Sequence, residues 1–305
     1  MADHQLTLFS PHDVYDAPEG GIIRWDSFPT RFLAQGDSWF SIGAMPPWAT
    51  SSILQQLSLG FAATAVNCAY PGRRLSCMVD WKADSGFSRL LAGEMACKWS
   101  GVLLSGGGND LIAAAGVLPL HADGSPVPPQ SRLLLNPAEW GPPSQGAARY
   151  LSGPGWDLFA THLTAQFADV LARRDTDINR LVPMFCHSYA YPMPRNAPAS
   201  ELLHVGPWLY PSVSAYRIPP ADWLPVATEL IDRLAALLRR IVDDLNRPAD
   251  RRVYLIDTKE ALMPAQPDST GPSNDWENEI HPTPGGYRKL AALWRPVIEA
   301  QIPAP

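Results

Sequence analysis

Short runs of apolar residues recur along the chain, each bounded by polar, glycine-rich or proline-rich segments. The runs that predict strands cover residues 31–35, 62–67, 101–104, 181–186 and 253–256. Each run is apolar nearly throughout and is followed by glycine, aspartate or other polar residues. Buried parallel strands have this pattern because both of their faces are covered, whereas a half-exposed strand alternates apolar and polar positions.

Two segments between these runs have the periodicity of amphipathic helices. In residues 156–174, apolar side chains recur at helical spacing, and in residues 226–246 the apolar stripe is clearer. Asn246 followed by Pro248 is expected to stop the second helix. Strands that alternate with helices predict an α/β protein, with a central parallel sheet covered on both faces.

Two stretches interrupt this alternation, residues 116–154 and 191–225, and both are rich in Pro, Gly, Ser and Trp. Each exceeds the ~12–15 residues of an ordinary loop, and each is placed after a predicted strand. The chain has 32 prolines, which indicate long ordered loops because proline is excluded from helix interiors and central strands. We expect both insertions to form a lid or a substrate groove on the rim of the site, with tryptophans as its walls. The alternative is a rigid cover over the sheet edge, in which the tryptophans only pin the loops.

Composition limits the class of protein. The chain has 305 residues, of which 46% are hydrophobic and 18% charged, as in a soluble globular protein. We expect a single domain over residues 1–305, with its core at about 30–295. The net charge of −6 comes without a cluster of Lys and Arg, so nucleic acid is not an expected partner.

The sequence also bears on location. The N-terminal residues lack the basic and apolar segments of a secretory signal. No apolar stretch approaches the ~18 residues that span a membrane. A cytoplasmic location is the default expectation, and export by a non-Sec route is left open.

The cysteines do not form a metal-site pattern. Cys68, Cys77, Cys97 and Cys186 include no Cys-x-x-Cys pair, and their spacings fit no zinc site. Cys68 and Cys186 lie in apolar runs, where a free thiol packs as a small hydrophobic group. We expect all four to be reduced and structural, with a disulfide between two of them left open.

The most informative segment is Gly36-Asp37-Ser38, directly after the first predicted strand. Open α/β sheets keep their active sites at the carboxyl ends of their strands, and this turn places one hydroxyl there. Gly-Asp-Ser is also a common turn, so the segment alone carries little weight. Its serine becomes a useful nucleophile only when a base and an oxyanion hole converge on it.

Glycine-rich segments follow the next two predicted strands. After the second strand, Gly72 lies in a turn where a glycine lets the backbone approach a ligand and point its N–H outward. After the third, residues 106–108 are all glycine and precede Asn109, whose amide is a donor for a developing oxyanion. A phosphate-binding loop is the competing interpretation, but no Gly-Lys-Ser/Thr follows.

His281 lies just before the last predicted helix, which begins at about Gly286. Because Pro282 follows it, helical geometry is disfavoured at His281, and the imidazole lies on a loop at an element boundary. Such a loop is a suitable place for a base, although most loop histidines are ordinary surface residues.

In this order, the four segments resemble the sequence blocks of the SGNH hydrolases, the GDSL-type lipases and esterases. The family's four blocks correspond here to Gly36-Asp37-Ser38, Gly72, Gly107-Gly108-Asn109-Asp110 and His281. The resemblance covers residues 32–290 in outline, while the two insertions match nothing in it. It implies a flavodoxin-like, three-layer α/β/α sandwich.

The resemblance also implies a role for each residue. Ser38 is expected to be the nucleophile, and His281 the base that later protonates the leaving alcohol. The backbone N–H groups of Ser38 and Gly72, with the Asn109 side chain, are expected to hold the oxyanion. Asp37 is expected to brace the turn, and neither a metal nor a cofactor is implied.

The sequence departs from the family pattern at two positions. Trp39 stands where the family often has leucine, a difference expected to change packing only. Asn278, three residues before His281, stands in place of the family's aspartate. An asparagine oxygen can orient the imidazole but carries no charge to stabilise imidazolium. We favour Asn278 as the orienting residue and leave Asp275 and Glu279 open as the acid.

Residues near the strand ends are candidates for substrate contact. His187 follows the fourth predicted strand and is interpreted as a rival base, as a substrate contact or as a residue packed under a loop. The full set of predicted substrate-binding residues is Asp37, Trp39, Gly108, His187 and Tyr189.

The sequence thus predicts a serine hydrolase of carboxylic esters that works without metal or cofactor. Its substrate is expected to be a short acyl ester of an alcohol or a sugar, or a lipid ester. A weak or silent member of the same fold that binds carbohydrate or lipid is one alternative, because the aspartate is missing and the loops are aromatic. An exported lipase-type effector is another, and the oligomeric state is not predicted.

Overall fold

The computed structural model of the chain describes residues 3–15, 24–41, 51–78, 80, 82, 85–247 and 249–304. Pro248, expected to stop a helix, lies outside the described residues. The strands in the described part are β1 His4–Gln5, β2 Thr7–Phe9, β3 Thr30–Gly36, β4 Ser58–Leu59, β5 Ala63–Asn67, β6 Gly101–Ser105, β7 Met184–His187 and β8 Val253–Ile256.

Six of these strands form one sheet in the order β2-β5-β3-β6-β7-β8, and every neighbouring pair is parallel. β1 and β4 form a separate antiparallel pair. The central strand β3 is buried at nearly every position, as expected for a strand covered on both faces. The predicted parallel sheet is therefore confirmed.

Each predicted strand overlaps an observed one, with one clear difference in a boundary. β7 begins at Met184 instead of residue 181, because Leu181 is exposed and has a φ of +61°, outside the range of a strand. The sequence pattern gives no sign of the edge strand β2, whose three residues are all half-buried.

The described α-helices are α1 His12–Tyr15, α2 Ile53–Gln56, α3 Leu75–Met78, α4 Ser85–Leu91, α5 Gly108–Ala115, α6 Gly153–Arg174, α7 Tyr210–Ala215, α8 Trp223–Asn246 and α9 Pro284–Gln301. Both α6 and α8 begin earlier than their apolar periodicity indicates. Pro154 and Pro225 lie in their first turns, where a missing N–H costs little. The Ser152 side chain caps α6 by accepting the N–H of Gly155.

Helices cover the sheet in two groups. α6 packs against α3, α4, α5 and α8, while α2 packs against α9. A parallel sheet between covering helices confirms the three-layer α/β/α sandwich. None of the described helices is both long and apolar enough to cross a membrane. The four cysteines are free, so no disulfide joins two of them.

The carboxyl ends of three adjacent strands lead into the segments with the candidate residues. Ser38 follows β3, Gly72 follows β5 and Asn109 follows β6. Since β3 is paired with β5 on one side and with β6 on the other, the three loops adjoin at one edge of the sheet.

Candidate active site

The side chains of Ser38 and His281 meet at the carboxyl edge of the sheet, although 243 residues separate them in the sequence. The imidazole Nε2 lies 2.8 Å from the Ser38 Oγ, and the imidazole Nδ1 lies 3.0 Å from the Oδ1 of Asn278. All three side chains are buried. The structure therefore brings a hydroxyl, a base and an orienting oxygen into one chain of hydrogen bonds.

The backbone of the histidine loop determines which atom of the Asn278 amide faces the imidazole. The Oδ1 accepts the backbone N–H groups of Ile280 (3.1 Å) and His281 (2.9 Å), so it is an acceptor oxygen. The His281 Nδ1 must then carry the hydrogen that this oxygen accepts. In the neutral ring the Nε2 keeps a lone pair for the Ser38 hydroxyl, which is the tautomer that a general base needs.

In the described structure, neither carboxylate considered as the acid contacts the imidazole. Asp275 pairs with Lys289 across 2.6 Å. Glu279 accepts the backbone N–H groups of residues 208–210 in the second insertion. The structure therefore does not support Asp275 or Glu279 as the triad acid. Both carboxyl groups bind other partners, and the imidazole Nδ1 faces the neutral Asn278.

Burial dominates the electrostatics of the base. It lowers the pKa of His281 to about 3, because an ionised ring would lose its hydration. His281 is thus neutral over most of the pH range, as a base must be. A protonated ring would face the uncharged amide of Asn278 instead of a carboxylate.

Trp39 connects the serine turn to the histidine loop. Its indole Nε1 donates to the carbonyl of Ile280 across 3.2 Å, and the indole packs edge-on against Trp276 with centroids 6.3 Å apart. Trp39 also lines the cavity beside Ser38. Since leucine has no donor, the tryptophan adds a hydrogen bond between the two loops, and the expectation of a packing change only is wrong.

Asn109 and Gly72 lie on neighbouring loops beside the serine turn. Asn109 lines the same cavity as Ser38, and its Nδ2 donates to the carbonyl of Arg73 across 3.3 Å. An amide nitrogen carries two hydrogens, so this contact leaves one for a substrate oxygen. Gly72 has a φ of +74° but is not among the described residues that line the cavity. Asn109 is therefore the more directly placed of the two candidate donors.

Asp37 braces the serine turn through a buried hydrogen-bond network. One carboxyl oxygen accepts the backbone N–H of Trp39 (3.0 Å) and the hydroxyl of Ser105 (2.8 Å), and the other accepts the hydroxyl of Tyr189 (2.6 Å). Burial raises the pKa of Asp37 to about 6. Because Ser105 ends β6 and Tyr189 follows β7, the network joins the serine turn to two further strand ends.

Gly108 begins α5 where the ring of Tyr189 passes close to the backbone. A Cβ at position 108 would lie 2.5 Å from atoms of that ring, so a larger residue does not fit. Both residues line the cavity beside Ser38. The Tyr189 hydroxyl, however, faces Asp37.

His187 is not among the described residues that line the cavity, contrary to its interpretation as a rival base or a substrate contact. Its ring is fully buried and stacks on Trp39 and Phe40, with centroids 5.5 and 6.1 Å away. The Nδ1 lies 2.7 Å from the carbonyl of Ser188, and the Nε2 lies 3.0 Å from the Oγ of Ser105. Of the three interpretations, packing under the loops fits the structure.

A narrow cavity of about 40 Å³ lies beside Ser38. Its walls are mostly apolar and come from α5, α8, the loop after β7 and the histidine loop. The lining consists of Leu111, Ile112, Ala190, Pro192, Leu209, Ala227, Leu230, Ile231, Trp276 and Ile280, with Asp37, Ser38, Trp39, Gly108, Asn109 and Tyr189. An apolar group attached to a carbonyl at Ser38 would find its space here.

Only the second of the two insertions contributes described residues to this cavity. Pro192 and Leu209 line it, and Trp208 packs edge-on against His281 with ring centroids 5.0 Å apart. The first insertion packs against α6 and α8 and lines a different cavity. Among the described residues, the cavity beside Ser38 therefore supports a place at the site for residues 191–225, while a rim role for residues 116–154 stays a prediction.

Three side chains that support the site are missed by sequence reasoning. Ser105 donates to Asp37, Trp208 covers the imidazole, and the Nη2 of Arg195 donates to the Asn278 carbonyl across 2.7 Å. Ser105 could have been found from its position at the end of a predicted strand. Trp208 could have been found from the high tryptophan content of its insertion. Arg195 carries no such signal, because its partners are on distant loops.

No protein-family model and no curated protein matches this chain. Solved structures of similar fold include an extracellular lipase from Streptomyces rimosus, at 14% identity over 89% of this chain and 99% of that one, with a TM-score of 0.45. A GDSL-like lipase from Bacteroides thetaiotaomicron shares 11% identity over 95% and 96%, with a TM-score of 0.43. An acetylxylan esterase from Geobacillus stearothermophilus shares 13% over 91% and 96%, also at 0.43. At these identities the likeness concerns the path of the chain alone.

Proposed function

We propose that this chain hydrolyses carboxylic esters with Ser38 as the nucleophile. The observation that carries the proposal is the 2.8 Å contact between the Ser38 hydroxyl and the His281 Nε2, with Asn278 at the other ring nitrogen. Serine is a weak nucleophile until a base takes its proton, and this contact is within the reach of a general base. The resemblance of the four sequence blocks to the SGNH hydrolases agrees with this reaction.

The proposed reaction has two halves. In the first, the Ser38 Oγ attacks the ester carbonyl while the His281 Nε2 takes the hydroxyl proton. The imidazolium then gives this proton to the leaving alcohol, and the acyl group stays on Ser38. In the second half, His281 takes a proton from the water that attacks the acyl group, and the proton returns to Ser38 as the acid leaves.

The tetrahedral intermediate of each half needs donors for its oxyanion. We assign this role to the backbone N–H groups of Ser38 and Gly72 and to the side chain of Asn109. The place of Asn109 in the lining of the cavity supports its part in this set. Removal of one such donor typically lowers turnover by ~10²–10³-fold.

The cavity beside Ser38 favours a short, apolar acyl group. Its lining is mostly apolar, and its volume is about 40 Å³. So narrow a space takes a short acyl group more readily than a long one. An acetyl to butyryl group suits this space, with the alcohol or sugar on the open side. A long lipid chain would require the cavity to widen.

A silent binding module is the rival function, motivated by the missing aspartate. The neutral Asn278 lowers the expected turnover, because imidazolium lacks a carboxylate partner. It still orients the ring toward Ser38, with Oδ1 to Nδ1 at 3.0 Å. This preserved orientation favours a working site.

Two measurements test the proposal on the purified chain. A fluorophosphonate probe should label the wild type at one site, and p-nitrophenyl esters from C2 to C16 should be hydrolysed best at C2 to C4. Ser38→Ala should lose both labelling and hydrolysis while keeping its circular dichroism spectrum. Ser76→Ala, at an exposed serine, is the matched control and should keep both.

The outcomes separate the two functions. Hydrolysis that survives in Ser38→Ala excludes this mechanism. A wild-type chain that is neither labelled nor active on any ester, but that still binds a sugar or lipid, establishes the silent module instead.

A further inference from the structure

A buried carboxylate fastens the second insertion to the loop that carries His281. Glu279 accepts the backbone N–H groups of Trp208, Leu209 (3.0 Å) and Tyr210 (2.7 Å). It also accepts the N–H of Arg195 across 3.3 Å. The Glu279 side chain is fully buried, and all four of these donors belong to residues 191–225. The insertion is thus bound to this loop by its own main chain.

The side chain of Arg195 makes a second connection to the same loop. Its Nη2 donates to the carbonyl of Asn278 across 2.7 Å, and its Nη1 donates to the carbonyl of Ser269 across 3.0 Å. The side chain is almost completely buried. The residue that orients the imidazole is therefore held by the insertion through its carbonyl group.

The hydrogen bonds of Glu279 and Arg195 hold the second insertion against the histidine loop, and the Trp208 side chain of this insertion packs against the imidazole. The planes of the two rings meet at 82°, and the ring centroids are 5.0 Å apart. Trp208 is half-buried, whereas the His281 side chain is buried, so the indole stands between the base and solvent. The imidazole thus has Ser38 at one ring nitrogen, Asn278 at the other and the Trp208 indole packed edge-on against the ring.

We propose that Trp208 is a positioning residue that excludes water from His281 and keeps its ring in line between Asn278 and Ser38, with Glu279 as the fastening. This role rests on the ester hydrolysis proposed above. It gives the second insertion a function: this segment maintains the base in its neutral form in acidic solution.

The charged and titratable groups around the base leave hydration as the main influence on it. Asp37 precedes Ser38 and is bound to Ser105 and Tyr189, and Asp275 is paired with Lys289. Burial raises the pKa of Glu279 to about 7, but its carboxyl group faces the N–H groups of the insertion and not the imidazole. The guanidinium of Arg195 faces carbonyl groups. Burial is the cause that lowers the pKa of His281 to about 3. An opening in the cover over the ring should therefore raise the pKa toward its ordinary value of 6.5.

The test compares Trp208→Ala with Trp208→Phe and with Leu202→Ala. Leu202 lies in the same insertion but is 88% exposed, which makes it a matched control. For each variant, kcat and KM for p-nitrophenyl acetate are measured from pH 3 to 8, with products separated by chromatography. In Trp208→Ala we expect the acid limb of kcat/KM to move up in pH, with about a tenfold loss at pH 5 relative to pH 7. The loss should fall on kcat more than on KM.

Trp208→Phe should restore most of the acid tolerance, because another aromatic ring covers the imidazole, and Leu202→Ala should behave as the wild type. An acid limb in Trp208→Ala at the same pH as in the wild type overturns the proposal. So does an equal shift in Leu202→Ala, since a general loosening of the insertion would then be the cause.

A second measurement keeps the two proposals apart. The titration of the His281 imidazole, followed by NMR in the wild type and in Trp208→Ala, does not depend on catalysis. A higher midpoint in the variant supports the cover by Trp208 even when no ester is turned over, in which case only the proposed function fails. Identical midpoints reject the cover even when the wild type is an active esterase.

Discussion

The hydroxyl of Tyr189 donates a 2.6 Å hydrogen bond to the carboxyl group of Asp37, which directly precedes Ser38. The opposite carboxyl oxygen accepts from Ser105, so the residue before the proposed nucleophile is held from two neighbouring strand ends. The tyrosine ring lies where a Cβ at position 108 would clash with it, so this packing requires a glycine there. The position of the Ser38 hydroxyl thus depends on contacts that its own turn does not supply.

Tyr189→Phe should reveal how much this contact contributes. The variant keeps the ring and removes the hydroxyl, which leaves one oxygen of a buried carboxyl group without its partner. We expect the free energy of unfolding to fall by about 1–3 kcal/mol, measured by urea denaturation. Turnover of p-nitrophenyl acetate should fall as well, but less than in Ser38→Ala. A variant as stable and active as the wild type would show that the network does not hold the turn.

A count of hydrogens predicts the protonation state of the same network. Four hydrogen bonds link Tyr189, Asp37, Ser105, His187 and the carbonyl of Ser188 in series. The tyrosine hydroxyl, the serine hydroxyl and a neutral imidazole supply one hydrogen each, so one bond lacks a hydrogen. An added proton completes the series. Burial favours its place on Asp37, because it raises the pKa of that carboxyl to about 6 and lowers the pKa of His187 to about 4.

We therefore expect Asp37 to be a neutral acid below about pH 6 and His187 to carry its hydrogen on Nδ1. The raised pKa means that the contribution of Asp37 to stability is complete below its ordinary 3.8 and is lost as the pH rises through about 6. NMR of the Asp37 carboxyl carbon and the His187 ring nitrogens from pH 4 to 8 measures both groups. An Asp37 carboxylate at pH 4, or hydrogens on both His187 ring nitrogens at pH 7, would contradict the placement of this proton on Asp37.

Asn278→Asp should strengthen the base. The aspartate retains an acceptor oxygen for the His281 Nδ1, now 3.0 Å from Asn278 Oδ1, and adds the negative charge that imidazolium lacks. We expect the pKa of His281 to rise by about 1–3 units, which moves the acid limb of kcat/KM upward, and we expect kcat to increase at pH 8. Asn278→Ala should instead lower kcat by about 10²-fold or more, because the ring loses its orienting partner. A kcat that falls equally in both variants would argue against this role.

The parts of the fold that the sequence predicts are those determined locally. The buried strands β3, β5 and β6 end at Gly36, Asn67 and Ser105, and parallel topology alone brings their loops to one edge. That is why Ser38 and Asn109 are predicted to lie together and do line one cavity. The sequence also predicts that His281 lies on a loop before α9, because Pro282 disfavours helical geometry at the residue before it.

The parts that the sequence does not predict depend on contacts between distant loops. Glu279 looks like a candidate acid because it is two residues from His281, yet its carboxylate is turned to the N–H groups of residues 208–210. Trp140 and Trp208 both lie in insertions of similar composition. The first donates to a carbonyl of its own insertion, and the second covers the imidazole. Composition cannot distinguish these two tryptophans, because their contacts depend on which part of the protein each insertion packs against.

The walls of the cavity offer a test of acyl specificity with an internal control. Leu230 is buried on α8 and lines the cavity beside Ser38, whereas Leu237 is equally buried on the same helix and does not line it. Each leucine changed to alanine should cost about 2–5 kcal/mol of stability, because each leaves a void in the core. Only Leu230→Ala should shift the ratio of C8 to C2 ester hydrolysis upward, since only this void joins the space next to the reacting carbonyl. The ratio is measured on matched p-nitrophenyl esters at a temperature where both variants are folded. An equal shift in the two variants would mean that looser packing, and not the width of this cavity, sets the preference for short acyl groups.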